Sequence, residues 1–189
     1  LKRNVAFLNL LLNNMKFRDL IISYPNVLGD DVCDEIISRF EADNRKVLGV
    51  TGSGYSPGTK QSTDLFISSL DDWKPIDNTI FERFCPYVER YSDFLLDKMK
   101  FIPEDISDSG YQVQKTIPGG FYAWHNDYST KVDKSKIANT ASSTIIKSRY
   151  ATYIFYLNDV ANDAGGRTKF YFGDELAITP QKDTLLMFP

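Results

Sequence analysis

Through the first hundred residues the apolar positions recur at helical intervals. After Asp30 and Asp31, either of which can cap a helix, Val32, Ile36 and Phe40 fall four residues apart and predict an amphipathic helix. From Asp77 to about Met99, the residues Ile80, Phe84, Val88, Tyr91, Leu95 and Met99 form one apolar stripe and predict a second, longer helix. Pro86 lies inside that stripe and predicts a kink or a break, because it has no amide hydrogen and crowds the preceding turn. Aromatic residues at this spacing read as core. Ahead of the helices, "FRDLIISYPNVL" from Phe17 predicts an extended segment. Between them, "GVTGSGYSPGTKQST" predicts a loop with Tyr55 at its centre.

Beyond "FIPEDISDSG" the period shortens to about two. Strand-like runs follow at "YQVQKT" (111–116), "FYAWHND" (121–127), "RYATYIFYL" (149–157), "TKFYF" (168–172), "ELAIT" (175–179) and "TLLMF" (184–188). Helices first and short strands afterwards predict an α+β fold, with the strands in a sandwich or an open barrel. The polar interval 128–148 is too long for a hairpin turn and has the length of a functional lid or a disordered connection.

Composition narrows the function classes. A chain of 189 residues, 42% hydrophobic, suffices for one buried core and argues for a single domain. Net charge is −3, so binding to nucleic acid by phosphate neutralisation is not expected. Two cysteines, Cys33 and Cys85, are too few for a disulfide scaffold and read as buried thiols, which fits a reducing, cytoplasmic setting. The apolar run Val5–Leu12 is far below the ~20 residues of a membrane span, so no membrane insertion is expected. Residues 1–16 read as an N-terminal extension. Leu1 at one end and Pro189 directly after "TLLMF" at the other read as cut ends.

Only one histidine occurs in the chain, His125, with Asp127 two places beyond. On a strand these two side chains would leave the same face, since residues i and i+2 do. A neutral imidazole beside a carboxylate suits Fe(II) or another first-row divalent ion. It equally describes a histidine hydrogen-bonded to a neighbouring aspartate, and the triplet alone leaves both open.

The surroundings are more specific. "YQVQKTIPGGFYAWHND", "RYATYIFYLND", "AGGRTKF" and "ITPQKDTLLMFP", in that order, resemble the double-stranded β-helix of the 2-oxoglutarate- and iron(II)-dependent dioxygenases, prolyl 4-hydroxylase type. "YPNVLGDDVCDEII" and "KQSTDLF" are similar to that family's N-terminal helical segment and substrate-side loop. The resemblance implies N-terminal helices packed on a jelly roll over residues 17–189, incomplete at its C-terminus with the last strands missing. It implies Fe(II) and 2-oxoglutarate as cofactors, ascorbate as reductant, and hydroxylation of a peptidyl residue, prolyl by pattern, with release of succinate and CO2. Carried over by position, His125 and Asp127 match two members of a 2-His-1-carboxylate triad, and no catalytic residue beyond metal ligands is implied. Tyr156 matches a tyrosine that binds the distal carboxylate of 2-oxoglutarate, with Tyr150, Thr152 and Ile154 expected on its strand face and Thr168 lining the same pocket. Arg149 and Asn158 match the pattern as structural residues. Tyr55, Tyr122 and Trp124 are the substrate-side candidates for a peptide or protein partner.

Some positions depart from that pattern. Thr116 stands where many relatives have a tyrosine, and Arg167 where a glutamate is common. The family's second histidine and its basic anchor for the keto acid follow the "LLMFP" strand and are not among these residues. The expectation is therefore weak iron binding and little turnover by this chain alone, with an exposed sheet edge that could support a homodimer. The rival reading is a non-catalytic β-sandwich binding protein with a degenerate metal site.

Overall fold

The computed structural model describes residues 16–100, 106–127, 130–132 and 146–189. The apolar run Val5–Leu12 and most of the 128–148 interval lie outside the described residues.

The segment expected to be extended from Phe17 begins with a 3-10 turn, Phe17–Leu20, because the Asp19 carboxylate accepts the Lys16 amide at 2.9 Å and closes the turn. It extends only over β1, Ile22–Pro25. Helix α1 spans Asp30–Ala42 and buries Val32, Cys33, Ile36 and Phe40 as their spacing requires. Its cap is Gly29 rather than Asp30 or Asp31; those two carboxylates occupy the first turn, where the helix dipole favours them. Strands β2 (Val47–Leu48) and β3 (Thr63–Phe66) flank the glycine-rich loop. Helix α2 then runs unbroken from Lys74 to Met99 through Pro86. Pro86 and Glu82, four residues earlier, are both exposed, so water can satisfy the carbonyl that the missing amide leaves free. Among the described residues no helix is long and apolar enough to cross a membrane.

The remaining strands are β4 (Gln112–Lys115), β5 (Thr130–Val132), β6 (Ile146–Ser148), β7 (Thr152–Tyr156), β8 (Thr168–Tyr171), β9 (Glu175–Ile178) and β10 (Thr184–Phe188). All pair antiparallel, in the orders β1-β10-β7, β2-β3-β4, β5-β6 and β8-β9. The mixed α+β class is thus as expected. One strand is missing from its expected place: 121–127 makes a single bridge, Lys60 to Tyr122, and no ladder.

Sheet β1-β10-β7 separates the core from the site side. On one face Leu185 and Met187 lie beside Tyr153 and Phe155, and Phe84 of α2 packs its ring 4.4 Å from Tyr153 and 5.4 Å from Phe155. Tyr24 of β1 meets Tyr87 of α2 at 5.1 Å, and the fully buried Tyr91 hydroxyl donates to the Leu20 carbonyl at 2.8 Å. The opposite face carries Leu186, with Ile154 directly across, and Thr184, with Tyr156 across. Tyr150 was expected on that second face. It precedes β7, outside the pleat, and packs with the helix-side core instead.

Candidate functional site

The site begins with a turn. Pro118 and Gly119 occupy the centre of Ile117–Gly120, closed by a 2.8 Å hydrogen bond from the Gly120 amide to the Ile117 carbonyl. Gly119 has φ 83, the conformation that such a proline-initiated turn demands of its third residue. Gly120 then passes so close to the next strand segment that a Cβ there would lie 2.8 Å from the Gln61 carbonyl oxygen. That close approach lets two backbone bonds form, Gln61 amide to Phe121 carbonyl at 2.7 Å and Ala123 amide to Thr59 carbonyl at 2.8 Å. Residues 121–123 are therefore pinned alongside 59–61, and the chain is free to bend after them.

His125 and Asp127 do converge, but through that bend rather than through a strand pleat. His125 Nε2 lies 3.3 Å from Asp127 Oδ1. His125 Nδ1 lies 2.8 Å from the Ala123 carbonyl oxygen. A carbonyl can only accept, so Nδ1 carries the hydrogen, and in the neutral ring Nε2 presents its lone pair. A ring protonated at Nε2 would donate to Asp127 directly; in the neutral ring a lone pair and a carboxylate oxygen lie 3.3 Å apart, which calls for positive charge between or beside them. Arg149 supplies part of it, with Nη1 3.1 Å from the same Asp127 oxygen. A divalent ion bound ~2.1 Å from two adjacent ligands also sets them ~3 Å apart, so the pair fits two coordination positions of such an ion. Among the described residues no third His, Cys, Asp or Glu joins them.

Tyr156 and Thr168 meet as well. The Tyr156 hydroxyl, on a side chain only 8% exposed, donates to Thr168 Oγ1 at 2.6 Å. Burial pushes the Tyr156 phenol up from its ordinary value, and the bond to Thr168 partly offsets this. At the other end of β7 and on the same face, Thr152 Oγ1 is buried with no hydrogen-bond partner among the described residues. Such a group normally has a partner, from water if not from protein.

Residues 111–189 match the family model of the 2OG-Fe(II) oxygenase superfamily. The fold is similar to that of a prolyl-4-hydroxylase from Pseudomonas putida, with TM-score 0.57 and 12% identity, over 89% of this chain and 79% of that one. It is also similar to a prolyl hydroxylase from Trichoplax adhaerens, solved with a peptide fragment of the hypoxia inducible factor oxygen degradation domain. There the TM-score is 0.59 and the identity 18%, over 95% of this chain and 79% of that one. The fold is of the prolyl-hydroxylase type. Comparison with curated proteins finds no match.

Around the His125–Asp127 pair the three substrate-side candidates fare differently. Tyr122 stacks on His125, ring centroids 3.7 Å apart and planes 17° from parallel. Its phenol is raised by partial burial and by the Asp127 carboxylate, with Arg149 opposing. Trp124 is 63% exposed and meets Tyr171 of β8 edge-on at 6.3 Å. Tyr55 is 59% exposed in the glycine loop, and among the described residues no hydrogen bond or ring contact ties it to the others. Two neighbours escaped sequence reasoning. Arg149 read as structural, and its contact with Asp127 has no short-range signal. Lys60 sits in a stretch that reads as solvated loop, yet it is buried beside Tyr122.

Proposed function

We propose that the chain is a 2-oxoglutarate- and Fe(II)-dependent dioxygenase that hydroxylates a peptidyl residue, prolyl by analogy, and releases succinate and CO2. The observation that carries this reading is the facing pair His125 Nε2 and Asp127 Oδ1, 3.3 Å apart, with the imidazole tautomer set by Ala123. A ligating histidine commonly donates its other ring N–H to a carbonyl or carboxylate, which orients the ring and raises its basicity. When bound, Fe(II) with 2-oxoglutarate supplies the oxidising chemistry, and ascorbate serves as reductant. The protein's own part is to hold and orient. His125 and Asp127 would bind the ion. Tyr156 would turn its hydroxyl from Thr168 to the distal carboxylate of 2-oxoglutarate, with Thr168 alongside. Tyr122, Trp124 and Tyr55 offer aromatic surface to a peptide, consistent with the peptide carried by the Trichoplax neighbour. In this reading residues 17–189 act as one domain on a jelly-roll framework.

A second reading is favoured by a specific observation. The sequence has one histidine, and Arg149 already neutralises Asp127 at 3.1 Å, as a degenerate site in a non-catalytic binding protein would. One histidine cannot complete a set of two histidines and a carboxylate, so low turnover by residues 1–189 alone is expected.

The two readings separate in a titration with Mn(II). His125 gives the only imidazole resonances of the protein, and the dioxygenase reading expects them to broaden saturably, an effect lost in Asp127→Ala. Succinate release with Fe(II), 2-oxoglutarate, ascorbate and a proline-containing peptide then tests the reaction itself. Imidazole signals indifferent to Mn(II) even at saturating concentration would favour the binding-protein reading instead, whereas absence of succinate alone would not, since an incomplete ligand set predicts it too.

A further inference from the structure

Beside the candidate metal pair lies an ion pair almost wholly out of water. Lys60 is 5% exposed and Asp64 4% exposed, with Nζ 2.6 Å from Asp64 Oδ2. Ser62 donates to the other carboxylate oxygen at 2.7 Å. The packing leaves no slack: a Cβ on Gly49 would lie 2.1 Å from Ser62 Oγ, 3.0 Å from Lys60 Cε and 3.2 Å from Asp64 Oδ2. Burying two charges costs more desolvation than an apolar pair of the same volume, so stability alone does not account for this one.

Its surroundings do. An ammonium has three donors, and among the described residues the Lys60 ammonium gives a hydrogen bond only to Asp64. The ammonium also lies 5.4 Å from the centre of the Tyr122 ring, within the range where a cation is attracted to an aromatic face. The same ring stacks on His125 at 3.7 Å. The backbones agree, since Lys60 and Tyr122 form the isolated bridge that anchors 121–123. Because Asp64 neutralises Lys60, the ammonium can hold the Tyr122 ring without presenting a net positive charge to a cation at His125.

We propose that Lys60, held by Asp64, is a positioning residue for His125 that acts through the Tyr122 ring. The chain Asp64–Lys60–Tyr122–His125 fixes the plane of the imidazole, while the Ala123 carbonyl fixes its tautomer. This rests on the reading of His125 as a metal ligand, but the geometry can be tested without any metal.

In the metal-free protein, the stacked Tyr122 ring should displace the carbon-bound imidazole proton resonances of His125 upfield. Tyr122→Leu, at a half-exposed position, should abolish that displacement. The double variant Lys60→Met with Asp64→Asn keeps the volume and the charge balance, and should reduce the displacement and broaden the signals. Lys60→Arg should restore them, since it keeps the cation. In Mn(II) titration the double variant should lose about 10- to 100-fold in affinity, the usual cost of removing an outer partner of a metal ligand. A double variant that stays folded with wild-type His125 signals and wild-type Mn(II) affinity would overturn the proposal, as would Tyr122→Leu with unmoved His125 signals. His125 signals that respond in the metal-free protein without any Mn(II) binding would sustain the positioning role and remove the dioxygenase reading.

Discussion

The packed face of sheet β1-β10-β7 and the segment 121–127 are held by opposite means. The sheet face has a continuous ladder on both sides of β10 and the aromatic side of α2 pressed against it. The His125 segment has one β-bridge, two flanking backbone bonds, and then side-chain contacts only. Regular structure there would have sent His125 and Asp127 out by the pleat; the bend brings them together by local bonds instead. A ladder resists distortion collectively, whereas a bend held by a carbonyl and a stacked ring depends on each contact separately. Stability should therefore be concentrated in the first region, and site geometry should be sensitive to single changes in the second.

That contrast is sharpest at Phe84. Truncation to alanine removes the ring that fills the space beneath Tyr153 and Phe155, and should cost about 3–5 kcal/mol in urea unfolding. The His125 signals of the molecules still folded should not move; if they do, the two regions are mechanically coupled and the comparison fails. Tyr91→Phe comes next. It leaves the Leu20 carbonyl buried without its donor and should cost about 1–3 kcal/mol in the same measurement.

On the site side the effects on binding exceed those on folding. Tyr156→Phe, in a version of the protein that binds the cosubstrate, should weaken 2-oxoglutarate binding by about 0.5–1.5 kcal/mol in titration calorimetry, one hydrogen bond's worth. Unchanged affinity would count against its assigned role. The smallest effect on stability is expected for Asp127→Asn, within about 0.5 kcal/mol of wild type, because the carboxylate is partly exposed and its pair with Arg149 is solvent-screened. The same change should remove the response of His125 to Mn(II). A large loss of stability at Asp127 would show that the bend carries part of the fold after all.

How much of this was visible in the sequence follows the same division. Helical and strand periods located α1, α2 and most of the strands, because burial on a regular element imposes a repeat. Pro86 did not break the helix, and the residue whose carbonyl it frees, Glu82, is exposed, so water can serve that carbonyl. His125 and Asp127 were identified correctly as neighbours on an incorrect premise, the pleat of a strand. The family pattern pointed to Tyr156 and Thr168, and the fold brings them within one hydrogen bond. Lys60 was invisible because its burial arises from the pairing of 59–61 with 121–123, distant in sequence and set by a glycine turn.

The position of β10 bears on how the molecule is made. It is the middle strand of its sheet, with Ile22 opposite Met187 on one side and Thr152 opposite Phe188 on the other. The turn before it also supplies Asp183, whose carboxylate accepts the amides of Val27 and Leu28, the latter from 155 positions earlier. During synthesis β1 thus has no partner, and the loop after it no acceptor, until the residues of β10 have been added. At about 5–20 residues per second that wait lasts roughly 8–30 s. Closing so long a loop before any pairing rewards it also makes for slow refolding. Throughout that interval the edge of β1 that β10 will cover keeps its backbone amides and carbonyls unpaired.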